Sequence, residues 1–251
     1  MPAEQRPALP DTVRDLLDRV DEVNRDSLGH AAGVLLQCLQ RDGLIHVAAS
    51  GHSLAMVCET FYRAGGLAAV RPLWRQEMLP LSDAQGSTVA ERTPGLGPEV
   101  VAAAAPRSDD VVVVFSTSGR NPYPVEVAAA CKARDVTVVA VTSPQAGRAA
   151  EARHETTLVQ HADVVLDTAV PPGDVAYPGD DPRTSAVSTI TAAYVWGVLL
   201  AELDDLAMRS GFELPRWRSA NVPGGDAANV GLFSRYGARV PELGDGLLER
   251  R

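Results

Sequence analysis

The run Asp110-Val111-Val112-Val113-Val114-Phe115, followed at once by Ser116-Thr117-Ser118-Gly119-Arg120-Asn121-Pro122, decides the fold class. A continuous apolar run of this length has no polar face, so it reads as a strand buried on both sides of a parallel sheet. The residues after it change the grammar. Three hydroxyls and a glycine lead to Asn121, a favoured N-cap, and to Pro122, suited to a first helical position. The pattern predicts a strand handing over to a helix that runs from 122 to about 133.

The same succession recurs on either side. Leu44-Ile45-His46-Val47-Ala48-Ala49 reads as a strand, Ser50-Gly51-His52-Ser53 as a turn, and 53 to about 64 as a helix. Leu67-Ala68-Ala69-Val70 reads as a second strand. Residues 72–97, with their prolines, glycines and polar side chains, read as a long loop before a short helix near 98–104. Downstream, 136–141 is a strand, Thr142-Ser143-Pro144 opens a short helix, 162–167 is a fifth strand, and a long helix covers about 185–210. Upstream, Asp11 is expected to cap a helix reaching about 23, and a second helical pattern spans about 25–40, with Gly43 as a stop signal. A last amphipathic stretch lies near 226–236.

Strand and helix alternating through short connections predict an α/β fold, an open parallel sheet wound by helices on both faces. One domain is expected over residues 10–240, with N-terminal helices at about 11–42, an α/β core at about 44–210 and a C-terminal tail and helix at about 211–240.

Composition narrows the function. The chain has 251 residues and a formal net charge of −9, which disfavours nucleic acid and anionic membranes as partners, since both are held mainly by basic contacts. Its one lysine, Lys132, is read as mid-helix and far along the chain from both hydroxyl-rich turns, which argues against Schiff-base chemistry. Cys38, Cys58 and Cys131 show no metal-ligand spacing and read as small buried hydrophobes. The apolar stretch from 186 to 201 falls short of the roughly 20 residues needed to span a bilayer, so it reads as a buried helix. The first ten residues lack an apolar signal core, which points to the cytoplasm.

Both turns belong at carboxyl ends of strands, where ligands of open α/β sheets bind. Each precedes a helix, so unpaired N–H groups and the positive end of the helix dipole face the ligand and favour an anion. Serine and threonine add neutral donors. Neither turn carries Gly-Lys-Ser/Thr or Gly-x-Gly-x-x-Gly, so a small phosphate ester is expected before a nucleotide. No cofactor and no metal are predicted.

The segments 45–53, Glu59-Thr60-Phe61-Tyr62-Arg63-Ala64-Gly65-Gly66 and 116–121 together resemble the SIS (sugar isomerase) domain. Pro171-Pro172-Gly173-Asp174, Ser188-Thr189, Ser219-Ala220-Asn221 and Gly224-Gly225-Asp226 match a stand-alone subgroup of that family. The resemblance implies a three-layer, flavodoxin-like winding of five parallel strands and a phosphosugar as small-molecule partner. It also implies a homodimer or homotetramer with sites near a subunit interface. It covers aldose–ketose isomerases such as phosphoheptose isomerase, a lyase cleaving an ether of an amino sugar phosphate, and non-catalytic sensors. The first loop departs from the family's Gly-x-Gly lead. Arg63 stands where phosphoheptose isomerases and the etherase carry glutamate, and Glu59 is the nearest carboxylate.

The expected binding set is Ser50, Gly51, Ser53, Ser116, Thr117, Ser118, Gly119, Arg120, Asn121, Asp174, Ser188 and Asn221, with Arg218 as a further holder of sugar hydroxyls. Aldose–ketose isomerisation needs a base and an acid. Glu59 lies about one and a half turns into its helix and is a candidate, with an ion pair to Arg63 at i+4 as the alternative. Glu126 is placed similarly. His52 lies in the first turn itself, and an imidazole suits a proton shuttle. His161 is the third catalytic candidate; it or His154 reaches a site from a neighbouring subunit. His30 and His46 read as structural. With no DNA-binding module in the chain, an isomerase-like enzyme is favoured over a phosphosugar sensor.

Overall fold

A computed structural model describes residues 8–244. Helices α1 (Leu9–Asn24) and α2 (Ser27–Gln40) lead into β1 (Ile45–Ala49), a 3-10 turn at Gly51–Ser53 and α3 (Leu54–Thr60). Then come β2 (Val70–Leu73), α4 (Ala84–Arg92), α5 (Leu96–Ala104), β3 (Val111–Phe115), α6 (Pro122–Lys132), β4 (Thr137–Thr142), α7 (Pro144–Ala149), α8 (Leu158–His161) and β5 (Val164–Asp167). A short hairpin, β6 (Val175–Tyr177) and β7 (Thr184–Ala186), precedes α9 (Ser188–Ser210) and α10 (Gly225–Tyr236).

The five main strands are all parallel, in the order β2-β1-β3-β4-β5. Every residue of β1 and β3 is buried, as a strand covered on both faces requires. Helices α2, α3 and α9 pack on one face, and α5 and α6 on the other, giving three layers. The expected α/β class and five-stranded parallel sheet are what the chain forms. Among the described residues, no helix is long and apolar enough to cross a membrane; α9 instead buries Val195, Trp196, Leu199 and Leu203 along one side.

Several expectations need correction. Ala8, not Asp11, is the N-cap of α1; Asp11 sits in the first turn, 2.5 Å from Arg14. The second strand is not 67–70. Leu67 bridges antiparallel to Arg216, and Ala68 donates its amide to Pro215, so the tail takes this segment and the ladder begins at Val70. Pro72 is tolerated because β2 is an edge strand, paired only with β1. The helix after Ser53 stops at Thr60 because Phe61 is extended. Residues 72–97 are not a loop: they hold the end of β2, a 3-10 turn at Gln76–Met78 and α4, capped by the Asp83 carboxylate on the amides of Gln85 and Gly86. Cys58 is exposed, unlike Cys38 and Cys131. Lys132 ends α6 rather than sitting mid-helix, and it pairs with Asp163.

Candidate functional site

The connections from β1 to β2 and from β3 to β4 leave the sheet in opposite directions, so the crevice at the carboxyl ends of β1 and β3 is the topological switch point. A cleft of about 460 Å³ opens there. Its base is formed by Ser50, Gly51, His52 and Ser53 after β1 and by Ser116, Thr117, Ser118 and Asn121 after β3. One wall is α4, with Ser87, Thr88 and Glu91. The other sides come from Ala146, Ala149 and Ala150 at α7 and from Pro171-Pro172-Gly173-Asp174 and Ser188.

Two glycines shape the base. Gly119 has φ +58, and its amide donates to Ser116 Oγ at 3.2 Å; a Cβ there would fall 2.9 Å from the Leu158 Cβ. Gly51 has φ +56 and lies against the Glu91 carboxylate. Both conformations are ones that side chains rarely adopt. Asn121 and Pro122 hold the expected N-cap and first positions of α6, but the Asn121 side chain makes no cap; its Oδ1 accepts from Arg153 at 3.1 Å. Pro122 and Pro124 carry no N–H, so the first turn of this helix offers few free amides of its own, and the cleft meets it only at Asn121.

Of the binding residues expected from sequence, the cleft gathers Ser50, Gly51, Ser53, Ser116, Thr117, Ser118, Asn121, Asp174 and Ser188, together with His52. Asp174, at φ +67, serves α9: its Oδ1 accepts the Ser188 amide at 2.8 Å and its Oδ2 the Ser188 hydroxyl at 2.7 Å. Gly119 and Arg120 lie outside the lining; the Arg120 guanidinium donates to the Gly147 carbonyl at 2.8 Å. Asn221 is exposed in the tail, where it and Arg218 do not line the cleft either.

Glu59 does not line the cleft and forms the i+4 ion pair, 2.9 Å from Arg63. Glu126 accepts the Gly95 amide at 2.9 Å, fastening the start of α5. His161 is also away from the cleft; its Nε2 lies 2.8 Å from the Thr156 hydroxyl, which His154 shares. Burial, and then the neighbouring His154, push His161 below the ordinary imidazole range. His46 is buried against Asp110 at the far end of the sheet.

One residue went unread in the sequence. Glu91, on α4, lines the cleft and accepts a hydrogen bond from Ser50 Oγ at 3.0 Å. Its segment reads as a loop from sequence, and although Asp83 caps α4, nothing local signals that this helix closes over β1. Glu91 and Asp174 are the charged side chains of the lining, which has no arginine or lysine. The donors the lining offers are therefore neutral ones, chiefly the hydroxyls of its serines and threonines. No group of three or more His, Cys, Asp or Glu able to hold a metal occurs among the described residues.

The family profile for the SIS domain matches residues 10–143. A UPF0309 protein of Listeria monocytogenes serotype 4b is 32% identical over 240 residues, 94% of this chain and 97% of that protein. A UPF0309 protein of Streptomyces coelicolor is 34% identical over 238 residues, 92% of this chain and 94% of its own length. Among solved structures, phosphoheptose isomerase from Neisseria gonorrhoeae shares the fold, with TM-score 0.53 and 22% identity over 77% of this chain and 93% of that one.

Proposed function

The chain belongs to the SIS domain family, and from that premise we propose that its cleft binds a phosphorylated sugar and moves a proton between adjacent carbons of it, as an aldose–ketose isomerase does. The observation that carries this reading is the joining of two hydroxyl-rich loops and Glu91 in one cleft at the switch point. The hydroxyls of the loop 116–121 suit the phosphate, as neutral hydrogen-bond donors. The hydroxyls of Ser50, Ser53, Ser87 and Thr88 suit a polyhydroxylated chain.

In this reading Glu91 removes the proton from the carbon beside the carbonyl, the enediol forms, and the proton returns to the neighbouring carbon. His52, exposed at the cleft mouth, relays the proton of the carbonyl oxygen. A pair of positioned groups of this kind contributes about 10²–10⁴-fold in rate. Glu59 and His161 take no part within one protomer, because neither lines its cleft. A role for His161 in trans belongs to a homodimer or homotetramer in the cytoplasm, which light scattering of the purified protein tests through its mass.

Exchange of the sugar C2 proton with deuterated solvent, followed by NMR over a panel of sugar phosphates, tests the reaction. Exchange with at least one member supports it. Binding without exchange across the panel instead favours a phosphosugar sensor, and no binding removes both readings.

A further inference from the structure

We propose that the floor of the cleft contains a separate subsite for a single uncharged oxygen atom, supplied by a water molecule or by one hydroxyl of the ligand. Only the second source rests on the sugar reading of the cleft. A pit of about 10 Å³ has as its polar lining four residues that also line the cleft, Ser53, Ser116, Thr117 and Ser188, with Thr168 and Thr189, and is completed by apolar side chains such as Met56 and Phe115. That volume is the size of one water, for which roughly 10–15 Å³ is needed, and too small for a phosphoryl group.

Thr168 singles the pit out. It is 3% exposed, and its Oγ1 has no hydrogen-bond partner among the described residues. The other buried threonines are satisfied by carbonyls: Thr60 by Val57 at 3.0 Å, Thr142 by Thr117 at 3.2 Å and Thr191 by Val187 at 3.2 Å. A buried hydroxyl left unpaired is unfavourable, so a partner in the pit stabilises the fold. The pit also meets the N-terminus of the 23-residue α9, whose Val187 and Ser188 amides are already bonded to Asp174.

The neighbouring bonds define what fits. Ser188 Oγ gives its proton to Asp174, so it offers the pit a lone pair. Ser116 Oγ accepts from the Gly119 amide and keeps its proton to donate. An occupant that both donates and accepts is therefore matched, as water or an alcohol hydroxyl is and a fully ionised phosphate oxygen is not.

Crystal structures at a resolution that places waters test this, for the free protein, for crystals soaked in glucose 6-phosphate, and for the Thr168→Val and Thr168→Ser variants. The expected result is one oxygen peak about 2.7–3.0 Å from Thr168 Oγ1, retained with serine and lost with valine, and a Tm lower by about 2–4 °C for Thr168→Val. A dry pit in the wild type, or a peak that persists in the valine variant, overturns the proposal. In the soaked crystal, density continuous with the sugar assigns the oxygen to a ligand hydroxyl, and a separate peak assigns it to water. A peak in the free protein with no sugar phosphate bound in the cleft upholds the pit and counts against the phosphosugar reading alone.

Discussion

The two ends of β1 and β3 use polar side chains in opposite ways. At the amino ends Asp110, 3% exposed, has both oxygens engaged by protein: Oδ1 by the Leu44 amide at 2.8 Å, and Oδ2 by the Arg107 amide at 2.8 Å and by His46 at 3.3 Å. At the carboxyl ends of the same two strands, Ser50 bonds a single carboxylate across an open cleft, and Ser53 and Ser118 line that cleft beside it. Only the His46 Nδ1 there lacks a partner among the described residues, and buried polar groups bonded within the chain in this way specify the fold. Polar groups gathered around a cavity await partners from outside. One sheet thus carries a closed end that holds strands in register and an open end that offers donors to a ligand.

The largest effect expected from breaking this contrast is at the open end. Glu91→Gln keeps the shape and the bond to Ser50 but removes the base, so C2 proton exchange should fall by about 10²–10⁴-fold, while the urea midpoint stays near that of the wild type. Next comes the closed end. Asp110→Ala strands the buried Leu44 amide and the partner His46, and is expected to cost about 3–5 kcal/mol in urea unfolding; exchange measured well below its Tm should be retained. Third, Ser118→Ala should weaken sugar-phosphate binding by about tenfold in titration calorimetry, the equivalent of a charge-assisted hydrogen bond of about 1.5 kcal/mol. Unchanged affinity would leave the loop a merely structural turn.

The fourth effect is an acid one. Burial acts to raise the Asp110 pKa, but the bond from His46 and those from the Arg107 and Leu44 amides outweigh it and hold the carboxyl down to about 2, from 3.8. A depressed carboxyl contributes stability that is fully present above its unfolded pKa and lost as pH falls through its folded one. The wild type should therefore lose stability between about pH 4 and pH 2, and Asp110→Asn should show a shallower loss over that window in urea titrations.

The sheet was legible because its strands speak locally. The apolar run 111–115 needs no tertiary context to read as buried, and the hydroxyl loops after it and after β1 carry turn and helix-start chemistry in their own residues. The second strand was displaced because Leu67 and Ala68 suit a ladder with either neighbour, and a tail some 150 residues later claims them. Glu91 was missed for a related reason. Its helix contains Gly86, Ser87 and Thr88, residues of modest helix propensity, and its contact with Ser50 crosses 41 residues of chain. Glu59 and His161 were plausible from position after a strand, yet side-chain direction, which sequence spacing does not fix, takes Glu59 to Arg63 and His161 to Thr156. The hairpin of β6 and β7, three residues on each side, is too short to show a period.

The claim that the cleft holds a phosphorylated sugar is tested most directly by thermal shift, with a panel of sugar phosphates run beside the same sugars without phosphate. Ligands that bind the folded state raise Tm by mass action. The account predicts a concentration-dependent rise with one or more sugar phosphates and a much smaller rise with their unphosphorylated counterparts. An equal response to both, or none to either, would contradict it.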